Sequence, residues 1–132
     1  SHRMKKQTFF ALAMAGAIIV FCGCAELQLD PSGAKRLNQT ELEFLFQTER
    51  AAEVLSSGTR VSVTYFPDRR QECDWGSGND KGTYRINNDE FCSTWTWLRK
   101  GAESCSKIYK IGENEFEFRS SDGISHAIMR LK

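Results

Sequence analysis

Five cysteines invite a chemical reading of this sequence: Cys22, Cys24, Cys73, Cys92 and Cys105. A Cys-x-Cys pair such as Cys22 and Cys24 can clamp a metal, begin a disulfide framework or mark a processing point. The metal reading needs partner ligands at suitable spacing, and none flanks the pair. Cys73, beside Asp74 and Trp75, would need a neighbouring base to act as a nucleophile, and none is evident. His126 is the one histidine after residue 24. Strand alternation sets it opposite Arg119 on a solvated face, where a histidine is a satisfied polar residue more often than a base. The carboxylate pairs Glu113/Glu115 and Asp89/Glu90 fall at predicted turns, where solvated charge is the default. No Ser/His/Asp or Cys/His arrangement stands out, and no glycine-rich loop lies between a strand and a helix. The expectation is a non-enzyme that uses no metal and no cofactor.

What positions the Cys22–Cys24 pair decides its meaning. Ser1, His2 and Arg3 read as an expression remnant ahead of a natural start at Met4. Lys5 and Lys6 supply a positive segment, and Thr8 to Phe21 is an apolar run of about fourteen residues. That is short of the roughly 20 residues a membrane-spanning helix needs and fits the apolar region of an export signal. Phe21-Cys22-Gly23-Cys24 resembles the lipobox of bacterial lipoproteins, in which a cysteine preceded by small residues is lipidated and becomes the first mature residue. The resemblance implies lipid attachment at Cys24, and Ala25 after it implies an outer-membrane address facing the periplasm. Ordinary signal cleavage, giving a soluble periplasmic protein, is the alternative.

The whole chain carries 18 basic and 17 acidic residues. Residues 1–23 hold Arg3, Lys5 and Lys6 and no acid, so the remainder stands at 15 against 17, a net of about −2. That balance lacks the basic patch of a nucleic-acid binder. Three units follow: 1–23 as remnant and signal, 24–37 as a Pro/Ser/Gly-containing tether, and 38–132 as a single domain with one modest core. An oxidising compartment permits disulfides. Cys73, Cys92 and Cys105 are then an odd set, with one thiol left over.

Within the domain, Asn38 to Ser56 reads as the one helix. Thr40 and Glu43 are spaced as a capping box, and Leu42, Leu45, Phe46, Ala52 and Leu55 recur at helical spacing. From Thr59 the period becomes two, with turn residues about every ten positions. Strands are predicted at 59–66, 70–75, 82–87, 90–98, 104–111, 115–121 and 124–131. The fold class is therefore α+β and mainly β: one N-terminal helix packed on an antiparallel meander sheet or small barrel of six to seven strands.

A two-residue Asp122-Gly123 turn sets Phe118 against Ala127, Phe116 against Met129 and Arg119 against His126. A four-residue loop, 112–115, sets Ile111 against Phe116 and Tyr109 against Phe118. Tyr109, Ile111, Phe116, Phe118, Ala127 and Met129 then form the core face, with Cys105 beside them. If Cys92 bonds Cys105 it must share that face, which turns Phe91, Trp95 and Trp97 outward. An outward aromatic row calls for a cover or a ligand. Otherwise the helix covers these rings, or a bulge returns them to the core.

Gly82-Thr83-Tyr84-Arg85-Ile86, Phe91-Cys92 with Trp95, Gly101, Ser104-Cys105, Ile108-Tyr109, and Phe116 with Asp122-Gly123 carry a wider likeness. The pattern resembles a family of small exported bacterial proteins of unknown function and covers about residues 37–123. The resemblance implies an envelope location and a Cys92–Cys105 bridge, and it implies no activity. Lipoprotein inhibitors of host lysozyme are similar in size, export signal and β-architecture, a likeness of fold alone. The expected function is a non-catalytic envelope lipoprotein whose Phe91, Trp95, Trp97 and Tyr84 meet a host or envelope protein or a cell-wall ligand, with the membrane reached through the lipid. The alternative is a structural or assembly protein without a ligand pocket.

Overall fold

Period-two alternation needs a partner on each side of every strand, and the structure supplies one by closing the sheet on itself. The computed structural model describes residues 33–132; the proposed lipid-bearing Cys24 lies outside the described residues. The elements in chain order are β1 (Lys35–Arg36), α1 (Gln39–Leu45), β2 (Arg50–Ser56), β3 (Thr59–Tyr65), β4 (Arg70–Asp74), β5 (Asn79–Asn87), β6 (Glu90–Trp95), β7 (Ser104–Lys110), β8 (Glu115–Arg119) and β9 (Ser125–Leu131). From β2 onward each strand pairs antiparallel with the next. β9 returns to β2 through Val54 opposite Met129, which closes an eight-stranded up-and-down barrel. β1 is a ninth strand beside β7, with Lys35 opposite Lys110 and Arg36 opposite Tyr109. Leu37, in the stretch expected to be tether, is buried.

Two expectations are corrected. The strand count is eight in the barrel plus one, and the predicted 38–56 helix is a seven-residue helix followed by a strand. Arg50–Ser56 contains good helix formers, but as β2 it meets both β3 and β9 and is the stave that closes the barrel. Ladder bonds on both edges override a weak intrinsic preference. The helix therefore does not lie across a sheet as predicted. It begins with a capping box two residues earlier than expected: Asn38 Oδ1 accepts from Glu41 N at 2.9 Å, and Glu41 Oε1 accepts from Asn38 N at 3.0 Å. Gln39 N donates to Asp89 Oδ1 at 2.6 Å, tying the helix to the β5–β6 turn.

At this end of the barrel the core is dense. Leu42 and Phe46 have relative exposures of 0% and 1%. The Phe46 ring lies 5.1 to 5.3 Å from those of Phe91, Tyr65 and Tyr84. Each such aromatic pair adds roughly 0.5–1.5 kcal/mol beyond the burial of its area. Tyr84 Oη donates to Phe66 O at 2.5 Å, which satisfies its one polar atom.

The disulfide between Cys92 and Cys105 is present, and Cys73 is the thiol left over. Its face is the reverse of the one expected. Ile111 N and Gly112 N both donate to Glu115 O, so the β7–β8 loop is one residue shorter than predicted. Ile108 therefore faces Phe118, and Tyr109 faces Glu117. A slip of one residue exchanges the two faces of a strand. Ser106 and Ile108 point inward, while Cys105 and Tyr109 point outward and Ile111 is 42% exposed. Because Cys92 pairs with Cys105 on the outer face, alternation turns Phe91 and Trp95 into the barrel, not out of it. The outward aromatic row does not form; Trp97 alone of the three is exposed, at 77%.

Candidate functional site

The other end of the barrel is open. A cavity of about 550 Å³ runs from the mouth toward the aromatic plug. That size falls within the roughly 300–1,000 Å³ of small-molecule sites, and eight strands is the number whose interior can hold one small ligand. Its apolar wall is built from Val54, Val61, Val63, Trp75, Trp95 and Leu98, with Phe91 and Phe118 deeper. Its polar wall holds Ser93, Ser104, Ser106, Arg99 and His126. Among the described residues no Asp or Glu lines it.

The polar wall follows from strand alternation and from one loop. Ser93 lies between inward Phe91 and Trp95 on β6, and Ser104 and Ser106 are the inward positions of β7 ahead of Ile108. Arg99 comes from the β6–β7 loop, where Arg99 and Lys100 both take left-handed backbone with φ of 55°. Asp80 holds that loop. Its Oδ2 accepts from Trp97 N at 2.8 Å and Leu98 N at 2.9 Å, and its Oδ1 accepts from Lys81 N at 2.8 Å. Burial works against the charged form of Asp80, but these N–H groups outweigh it and keep the carboxyl below its ordinary pKa.

Arg99 Nη2 donates to Ser93 Oγ at 3.0 Å and Ser93 O at 3.2 Å. It has no carboxylate partner among the described residues. Although the residue is exposed, desolvation of the guanidinium at the mouth lowers its pKa. His126 Nε2 and Ser106 Oγ are 2.8 Å apart. Although His126 is exposed, partial desolvation of its ring, and then the Arg99 charge, lowers its pKa. A serine against an imidazole is the start of a nucleophile–base pair. Here no carboxylate orients the ring among the described residues, and the pair adds hydrogen-bonding groups to the wall.

His126 is the sequence expectation most changed by the structure. The β8–β9 turn is closed by Ser120 N donating to Ile124 O and Gly123 N donating to Ser120 O. Gly123 takes φ of 89° there, a conformation that favours glycine. Arg119 then faces Ser125 in place of His126, and a bulge at Phe118/Arg119 restores the predicted pairing of Phe118 with Ala127. The bulge sends His126 to the cavity side, 6.4 Å from the Phe118 ring.

Of the predicted binding residues, Phe91 and Trp95 line the cavity, Tyr84 is buried in the plug, and Trp97 projects from the loop that carries Arg99. Gln71, Ser93, Arg99, Ser104 and Ser106 were not anticipated. Cys73 also lines the cavity; burial, reinforced by the charges of Asp80 and Asp74, pushes its thiol up to about 11. Glu90, Cys92 and Cys105 lie close enough to hold a metal, but both sulfurs are spent in the disulfide. No family model, curated protein or solved structure matches this chain.

Proposed function

We propose that this chain is a non-catalytic binding module of the bacterial cell envelope, held at the outer membrane by a lipid on Cys24 and taking a ligand through the mouth of its barrel. The cavity carries the reading: one end of the interior is filled by Phe46, Tyr65, Tyr84 and Phe91, while the other keeps about 550 Å³ between an apolar wall and a polar one. A purely structural protein gains nothing from that volume, since closer packing would add stability. The lipobox-like Phe21–Cys24 segment and the disulfide support the envelope setting.

Native mass spectrometry of the full chain after exposure to envelope extract tests the cavity. The wild type should acquire a small-molecule adduct, and a Ser104→Trp variant, which fills the mouth, should not. Folded wild type that emerges at its bare mass, or a variant that keeps the adduct, would overturn the reading.

A further inference from the structure

Resting on that reading, we infer that the ligand is an anionic amphiphile: an apolar body seated among Val61, Val63, Trp75 and Trp95, with a carboxylate-like head on Arg99. Three observations combine. First, among the described residues Arg99 is the one charged side chain that lines the cavity, and only one of its nitrogens has a partner, leaving the other guanidinium donors to bind. A partly desolvated guanidinium is matched by a planar, bidentate acceptor. Second, the wall beside it offers the Ser93, Ser104 and Ser106 hydroxyls and the His126 ring, and no carboxylate that would repel an anion. Third, the rest of the lining is largely apolar, its polar groups including the Tyr65 hydroxyl, the Cys73 thiol and one unsatisfied amide. Gln71 is 1% exposed and lines the cavity; its Nε2 donates to Thr83 O at 3.2 Å, while its Oε1 has no partner. A buried amide oxygen without a donor is costly, so a hydroxyl or N–H on the apolar body would be held there.

A cation fails at the mouth because it would meet Arg99. A wholly apolar ligand would leave the guanidinium and the Gln71 oxygen unanswered. The mouth also positions its own cation, since Asp80 grips the backbone on the N-terminal side of Arg99 while leaving the side chain free to turn inward.

The probes are decanoate, 10-hydroxydecanoate, decan-1-ol and decyltrimethylammonium, titrated below their aggregation limits into the full chain, with fluorescence of the cavity-lining Trp75 and Trp95 as the readout. Decanoate should bind roughly ten- to hundredfold more tightly than decan-1-ol, the range for a hydrogen bond to a charged group, and the ammonium should not bind. Arg99→Gln should bring decanoate down to the alcohol and leave the alcohol unchanged. The 10-hydroxy acid should exceed decanoate by severalfold, and Gln71→Leu should remove that advantage. If decan-1-ol or the ammonium equals decanoate, or if no probe binds, the anionic assignment is overturned. The adduct experiment above then decides separately whether the cavity binds anything. The wild-type series alone decides the charge preference should either variant fail to fold.

Discussion

Removing the carboxylate of Asp80 should loosen the loop that carries Arg99 and cost a large part of the domain's stability. The side chain is 3% exposed and accepts two backbone N–H groups from the loop, at 2.8 and 2.9 Å, besides its own neighbour's. A hydrogen bond to a charged group is worth about 1.5–3 kcal/mol, and an orphaned buried N–H costs about 1–3 kcal/mol. Because the two loop donors share one oxygen, their values do not simply add, and we expect Asp80→Ala to lose about 3–4 kcal/mol. Asp80→Asn keeps a neutral acceptor and should lose about half as much. Against a total of about 5–15 kcal/mol for a domain of this size the loss is severe, and it should lower Tm by roughly 12–25 °C. The pH dependence carries a definite sign. The folded pKa of Asp80 is depressed, so its stabilisation is complete above the unfolded value near 3.9 and is lost as pH falls through the folded value. Urea unfolding at pH 7 and at pH 3 measures both effects. A loss below about 1 kcal/mol for Asp80→Ala at pH 7, with an unchanged m-value, would refute the account of the loop.

Three further outcomes follow from the same contacts. Gly82 of β5 lies against the β6 backbone: a Cβ there would stand 2.0 Å from Thr94 O and 2.9 Å from Trp95 Cα. Because both obstacles are backbone, Gly82→Ala should cost about 3 kcal/mol or more in chemical denaturation, and a cost under about 1 kcal/mol would show that the strands part freely. The Cys92–Cys105 bridge closes a separation of 13 residues with Cys105 exposed. Reductant should reach it in the folded state and remove about 3 kcal/mol, while Cys73, whose thiol burial pushes up to about 11, should react only slowly with thiol reagents. For His126, burial and Arg99 depress the folded pKa below 6.5, so the unfolded chain takes up its proton first. The imidazole's contribution is whole above the unfolded value and declines as pH falls toward the folded one. Melting temperature should drop between about pH 7 and pH 5, and His126→Gln should flatten that part of the profile; an identical slope in the variant would place the titrating group elsewhere.

Much of the barrel was legible in period-two alternation and in Gly, Asn and Asp punctuation. All seven predicted strands exist with ends displaced by a few residues, and the pairings of Phe118 with Ala127 and Phe116 with Met129 stand as read. The eighth strand was hidden because Ala51, Ala52, Glu53 and Leu55 suit a helix as well as a strand. Only the two-sided pairing with β3 and β9, contacts remote in sequence, selects the extended form.

The site was hidden by parity. One residue fewer in the β7–β8 loop exchanged Tyr109 and Cys105 for Ile108 and Ser106 on the inner face, and one bulge brought His126 in. An inward serine cannot be told from a solvated one until a strand's faces are assigned, so Ser93, Ser104 and Ser106 carried no signal of their own. The disulfide could have supplied it. Cys92 and Cys105 face one another across β6 and β7, so whichever face Phe91 and Trp95 take, Ser106 must share it and the cysteines must take the other. Two large aromatics on a strand paired at both edges are far more costly to expose than a disulfide. That comparison alone turns the cysteines outward and delivers Ser93, Ser104 and Ser106 to the interior. A barrel that then carries three serines beside Trp95, where closer packing would call for aliphatic side chains, has an interior shaped for something other than its own core.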